Sequence, residues 1–220
     1  NLKKHYPKNN IGLVNELAIL CHKMGISMWE VVDAAKTKPY GFQAFYPGPG
    51  LGGHCIPLDP YYLAWKAREY GFHTSMIEAS GMINDRMPEY TVDRCAEALN
   101  DRFGKALKDA KVLVLGVAYK QDIDDYRESP ALTVIKNFEK RGAKVQYFDP
   151  WIPKFRFHDG MQMESIKELT AEAIKNSDLV IITAAHTNVD YDLVSKNAKL
   201  IFDAKNAMKN IADRHNIEVL

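Results

Sequence analysis

Four short apolar runs constrain this chain more than any other feature: "KVLVLGVAY" from Lys111, "AKVQYFD" from Ala143, "DLVIITAA" from Asp178 and "KLIFDAK" from Lys199. The first is a short, continuous, β-branched apolar run typical of a buried parallel strand, and the other three read as further strands. Between them lie stretches with helical character, one from about Pro130 to Arg141 ended by Gly142, another from about Ser165 to Lys175. Strand and helix therefore alternate, and short right-handed crossovers turn that order into a doubly wound parallel sheet.

The first hundred residues follow a different rule. Ile11, Val14, Leu17, Ala18 and Cys21 recur at helical spacing up to Met24, where Gly25 stops the helix. Ser27, with Glu30 three residues on, caps a second helix that carries Trp29, Val31, Val32 and Ala35 toward the Lys38-Pro39 break. Asp59-Pro60 offers an N-cap and an N1 proline for a third helix through Tyr70, and a long helical run covers Ser75 to about Leu99, kinked or split at Pro88. Between Asn100 and Asp109 the composition turns polar. The expected fold class is α/β: residues 1–104 form a helical central region and residues 105–220 a Rossmann-like doubly wound parallel sheet.

Composition excludes several classes. Across 220 residues the formal charge is +1, so neither nucleic acid nor a membrane surface is an expected partner, and any anion site must be local. No apolar run approaches the ~18–20 residues of a membrane span. Cys21, Cys55 and Cys95 are odd in number and form no CxxC pair, which fits a reducing, cytoplasmic setting and gives no metal site. Residue 1 is Asn rather than Met, as in a processed or partial chain.

A dinucleotide fold places G-x-G-x-x-G after its first strand, and here only the first glycine, Gly116, is present in "GVAYKQ". The same loop carries Lys120 and Arg127 beside Asp122, Asp124 and Asp125, at the strand end where open α/β sheets take ligands. A phosphate-bearing mononucleotide ligand and a solvated loop of weak surface ion pairs are the two readings. Asp149-Pro150 reads as a structural turn.

The stretch "YPGPGLGGHCIPLDP" sets Cys55 among four glycines and four prolines. Glycine lets backbone approach a ligand closely and proline stiffens the chain, so together they make a rigid, open cradle suited to a nucleophilic thiolate. Cys21 and Cys95 sit on helical stripes and read as packing. A cysteine hydrolase with His54 as base is disfavoured, because adjacent residues tend to point apart.

"PGPGLGGHCIPLDP" resembles the catalytic-cysteine loop of the UDP-glucose/GDP-mannose dehydrogenase family, and its His-Cys form is most similar to the UDP-N-acetylmannosamine and UDP-N-acetylglucosamine 6-dehydrogenase branch. "NIGLVNELAILCHKMGI" resembles the family's central helix, "GVAYKQDIDDYRESPA" its nucleotide-sugar loop and "FDAKNAMK" its final strand motif. The resemblance implies NAD-dependent oxidation of the C6 alcohol of a UDP-sugar to a carboxylate, in two hydride transfers joined by a cysteine thiohemiacetal and thioester, for surface polysaccharide precursors. It implies Cys55 as nucleophile and Asp59 as the group that orients the hydrolytic water. Lys120 would contact the UDP-sugar, Lys205 the phosphates and Arg127 the cofactor, while Lys38, Phe42, Tyr46 and Gly52 would shape the sugar pocket. It implies a homodimer through the central helices.

Two features depart from that pattern. The family's amino-terminal NAD domain has no counterpart before Asn1, so NAD would be bound mainly outside this chain and the chain alone is expected to turn over little. The family's central-helix Asn falls at Lys4, its Lys would precede residue 1, and Pro7 makes residues 1–9 read as something other than helix. The alternative reading is a non-catalytic module that binds UDP-sugar and dimerises.

Overall fold

The computed structural model describes residues 2–220, apart from the side chains of Leu2 and Lys4, so the readings on Asn1 and on the Lys4 side chain lie outside the described residues. Helices α1 (Leu2–Lys23), α2 (Met28–Ala35), α3 (Cys55–Arg68) and α4 (Ser75–Phe103) come first. Then follow β1 (Lys111–Leu115), α5 (Pro130–Lys140), β2 (Lys144–Phe148), β3 (Lys154–Arg156), β4 (Gln162–Glu164), α6 (Ala171–Lys175), β5 (Leu179–Ile182), α7 (Tyr191–Asn197), β6 (Ile201–Asp203) and β7 (Ile217–Val219).

The expected parallel sheet is present, with strand order β2-β1-β5-β6-β7 and every pairing parallel. Side chains alternate across it. Val112 and Val114 of β1 pack with Cys95 and Leu99 of α4 and Phe138 of α5 on one face; Leu113 and Leu115 pack with Ile174 of α6 and Val194 of α7 on the other. The long helix α4 thus joins the helical part to the sheet. β3 and β4 form a separate antiparallel hairpin that the sequence did not announce, and α7 and β7 were likewise unforeseen.

Prolines account for three departures from expectation. α1 already runs from Leu2 with Pro7 inside it. An interior proline costs roughly 3 kcal/mol, but α4 clamps this part of α1: Ser80 Oγ and Asn84 Nδ2 donate to the Lys8 carbonyl at 3.2 and 3.3 Å. At Gly12 the two helices approach so closely that a Cβ would stand 2.5 Å from Ser80 Oγ. α4 is likewise one helix of 29 residues and does not split at Pro88, because Met87, Thr91 and Val92 beside it are fully buried. α3 starts at Cys55, not after Asp59, so Asp59 and Pro60 are interior. Pro57 falls in the first turn, whose amides have no helical partner to lose.

The helix expected over residues 165–175 shrinks to α6, residues 171–175. Its first half is held against β2 instead: Ser165 Oγ accepts the Asp149 N–H at 3.1 Å and the Ile166 N–H donates to the Tyr147 carbonyl at 2.9 Å.

Candidate functional site

In the order β2-β1-β5-β6-β7 the chain leaves β1 toward β2 on one side and β5 toward β6 on the other, which makes the carboxyl ends of β1 and β5 the switch point where doubly wound sheets take ligands. Loops after β1, β2 and β5 meet there. Gly116, at φ +84°, lets them close: a Cβ on it would lie 2.6 Å from the Ala184 carbonyl oxygen.

Asp149, at the end of β2, ties the three loops together. Its Oδ2 accepts the Val117 and Ala118 N–H groups at 2.6 and 3.1 Å and lies 3.1 Å from His186 Nε2, while Oδ1 accepts the Trp151 and Ile152 N–H groups at 2.8 and 3.1 Å. Burial pushes this carboxyl up, and hydrogen bonds from His186, Trp151 and Val117 more than reverse it, leaving its pKa below the ordinary aspartate value. In a dinucleotide sheet such amides face a pyrophosphate and such an acid a ribose. Here they satisfy one another, so NAD does not fit this sheet. The structural reading of Asp149 agrees with this geometry.

Lys120 is exposed just past this knot and carries no ion pair among the described residues, which leaves its ammonium open to phosphate. Arg127 is engaged: its Nε and Nη2 donate to Asp125 Oδ1 and Oδ2 at 2.9 and 2.8 Å, and that pairing lowers the Asp125 carboxyl. Any contact of Arg127 with a cofactor would require breaking that fork.

The glycine loop lies against the same loops. Gly52 meets the β1 loop so tightly that a Cβ would stand 2.5 Å from Tyr119 Cβ and 3.1 Å from the Glu128 carbonyl oxygen. Gly53, at φ +88°, packs on the Tyr119 ring, and Lys205 Nζ lies 3.3 Å from where a Gly48 Cβ would be. Asn15, wholly buried on α1, accepts the Gly48 N–H at 3.0 Å and donates to Asn84 Oδ1 at 2.9 Å, bridging α1, α4 and the loop. The loop ends at Cys55, an exposed free thiol in the first position of α3. Side-chain oxygens of Ser27, Ser129, Thr170 and Asp190 cap α2, α5, α6 and α7, whereas the N-cap residues of α3 and α4, His54 and Thr74, make no side-chain cap hydrogen bond. The first amides of α3 are left for solvent or a ligand oxygen.

Asp59 stands one helical turn after Cys55, on the same face of α3. It lies within electrostatic reach of His5, which is buried on α1 and whose pKa burial lowers while Asp59 opposes. His54 makes no hydrogen bond to Cys55 among the described residues. Burial lowers the Lys205 ammonium below the ordinary lysine value, with Asp203 opposing; Asp203, wholly buried, accepts the Lys205, Ala207 and Met208 N–H groups.

The structure thus presses Gly52 and Gly53, on the loop that leads to Cys55, against Tyr119 beside Lys120, and sets Lys205 Nζ beside Gly48 of the same loop. It leaves Lys38 and Phe42 exposed in the connection after α2. Tyr46 is held by α2: its ring stacks on Trp29 at 5.3 Å and its hydroxyl donates to Asp33 Oδ1 at 2.8 Å. Sequence reasoning missed Asn15 and His186. Asn15 carried a faint signal, an asparagine on the apolar stripe of α1. Among the described residues no cluster of His, Cys, Asp and Glu could hold a metal ion, and no helix is long and apolar enough to cross a membrane.

The arrangement defines a class: a doubly wound α/β sheet without a dinucleotide fingerprint, joined by a long helix to a helical part that presents a thiol at a glycine cradle. Comparison with known proteins gives the family. The profile of the UDP-glucose/GDP-mannose dehydrogenase family, central domain, matches residues 2–86, and that of its UDP binding domain matches residues 113–210. The chain belongs to this family. It is 30% identical over 217 residues to UDP-N-acetyl-D-mannosamine dehydrogenase of Methanococcus maripaludis, covering 95% of this chain and 47% of that protein. It is 35% identical over 178 residues to UDP-N-acetyl-D-glucosamine 6-dehydrogenase of Pseudomonas aeruginosa, covering 81% and 41%. The solved UDP-D-ManNAc dehydrogenase of Pyrococcus horikoshii superposes with a TM-score of 0.84 at 28% identity, over 99% of this chain and 50% of that one. The chain spans about half the length of the relatives it matches.

Proposed function

We propose that this chain is the nucleotide-sugar-binding and thiol-bearing portion of a UDP-N-acetylhexosamine 6-dehydrogenase. The observation that carries the reading is the contact of two parts distant in sequence: the glycine loop that ends at Cys55 is pressed by Gly52 onto Tyr119, next to the unpaired Lys120. A sugar whose phosphates lie on Lys120 and Lys205 would bring its C6 end toward Cys55. The likeness to UDP-N-acetylhexosamine dehydrogenases supports the same substrate class.

In this reading Cys55 Sγ adds to the aldehyde carbon at C6, and the unfilled amides at the start of α3 receive the developing oxyanion. Once that carbon stands at the thioester level, Asp59 orients the water that hydrolyses it. The family is NAD-dependent in general, and the described residues form no dinucleotide site; the steps assigned to this chain are binding, capture and hydrolysis. We assign the partner as a second copy of the chain.

Alkylation tests this without cofactor. Exposed Cys55 should react with iodoacetamide well before buried Cys95, and UDP-N-acetylglucosamine or UDP-N-acetylmannosamine should slow it about tenfold or more. Equal labelling rates at saturating nucleotide sugar would separate the thiol from the sugar site and overturn the reading.

A further inference from the structure

The imidazole of His186, in the loop after β5, is wholly buried and belongs to none of the steps above. Its Nδ1 lies 3.0 Å from the Asp122 backbone nitrogen, and its Nε2 lies 3.1 Å from Asp149 Oδ2. A backbone N–H only donates, so Nδ1 must be the acceptor and the ring proton must sit on Nε2, donating to Asp149. One neutral tautomer thus reads two loops at once.

The loop so held takes an uncommon backbone form: Asp122 has φ +58°, a left-handed conformation that few residues other than glycine, asparagine and aspartate adopt. It keeps that conformation through three tethers to the end of β5: its N–H to His186 Nδ1, and its carboxylate accepting the Thr187 N–H at 2.9 Å and the Thr187 hydroxyl at 3.0 Å. Lys120 stands two residues before it. Without the tethers Asp122 would relax toward ordinary backbone angles and Lys120 would sample many directions, an ordering cost that a ligand would then meet on binding.

We propose that His186 is a positioning residue for nucleotide binding: by accepting the Asp122 N–H it holds the Lys120 loop in the form that receives a diphosphate. This rests on the reading of Lys120 as a phosphate contact, and the test separates the two. His186→Asn places an amide oxygen where Nδ1 was and keeps the acceptor for Asp122; His186→Gln reaches Asp149 and loses that acceptor.

UDP is titrated into the 220-residue chain and both variants by calorimetry, and hydrogen exchange at the Asp122 amide is followed without ligand. The expected result is affinity within about twofold of wild type for His186→Asn and a loss of about tenfold for His186→Gln, with fast Asp122 exchange in the Gln variant only. Thr187→Val, at an exposed position, removes another tether without touching the buried ring and should weaken UDP about threefold. Equal UDP affinity in all four proteins, or equal loss in the Asn and Gln variants with Asp122 equally protected, would overturn the proposal. Wild type that shows slow Asp122 exchange but no UDP binding would instead sink the phosphate role of Lys120, while the tether itself stands.

Discussion

At the scale of single residues, Lys205 carries the sharpest consequence. Burial depresses its pKa in the free chain, and a diphosphate placed beside it would raise the value again. Between those two values binding must take up a proton, so UDP affinity should fall as pH rises through the window. Calorimetry at a series of pH values below the ordinary lysine pKa, in buffers of different ionisation enthalpy, should detect uptake of up to one proton. Lys205→Met should abolish it; heats independent of buffer would show that no phosphate reaches this ammonium. The same depression works against the free fold. A base with a lowered folded-state pKa loses stability as pH falls below its unfolded value, so Lys205→Met should also melt above wild type at neutral pH, as expected where a binding group is held ready at a cost to stability.

At the scale of elements, the glycine loop is held by contact at Gly52 as well as by the positive φ of Gly50 and Gly53. Gly52 has no unusual φ, but a methyl group there would meet Tyr119 Cβ at 2.5 Å and backbone at 3.1 Å, so the loop or the β1 loop must move. Gly52→Ala should cost ~1–3 kcal/mol by overpacking, lowering the melting temperature by roughly 2–12 °C, and should weaken UDP because Tyr119 adjoins Lys120. A variant that melts with wild type would show that the two loops are not pressed together. The inner strands β1, β5 and β6 were legible because strands buried on both faces read as continuous apolar runs, whereas β2, at the sheet edge and fully buried only at Tyr147, was legible from Val145, Tyr147 and Phe148 alone. Helix starts were less so: at Pro7 and Asp59-Pro60 local chemistry argues for a boundary, and burial against neighbouring helices overrides it. The site was legible at Cys55, where glycine and proline crowd one thiol. His186 and Asn15 were not, because their partners lie 64 and 33 residues away, and Asp149 read only as a turn because its contact with Val117 spans 32 residues. No spacing rule brings such pairs together before the sheet order is known.

At the scale of the whole molecule, α1 presents two apolar faces. One is buried around Asn15 and Ala18 against α4 and α2. The other is a stripe of Tyr6, Leu13, Leu20 and Met24, exposed by 49, 53, 50 and 60%. Steps of seven, seven and four residues keep these side chains on one seam, the spacing with which helices pair. A helix apolar on both faces is stable in water only when both are covered, and a stripe that repeats along its own length fits a second α1. Light scattering on the eluting protein should therefore give twice 25.0 kDa. The double variant Leu13→Glu, Leu20→Glu should elute as a single chain, since four carboxylates would meet at the seam of a dimer. Because both positions face outward, each substitution should change the stability of the chain itself by no more than about 0.5 kcal/mol, and helical circular dichroism should be retained. A wild-type chain that runs as a monomer, or a double variant that remains dimeric, would place the interface elsewhere and leave this stripe without a partner of its own kind.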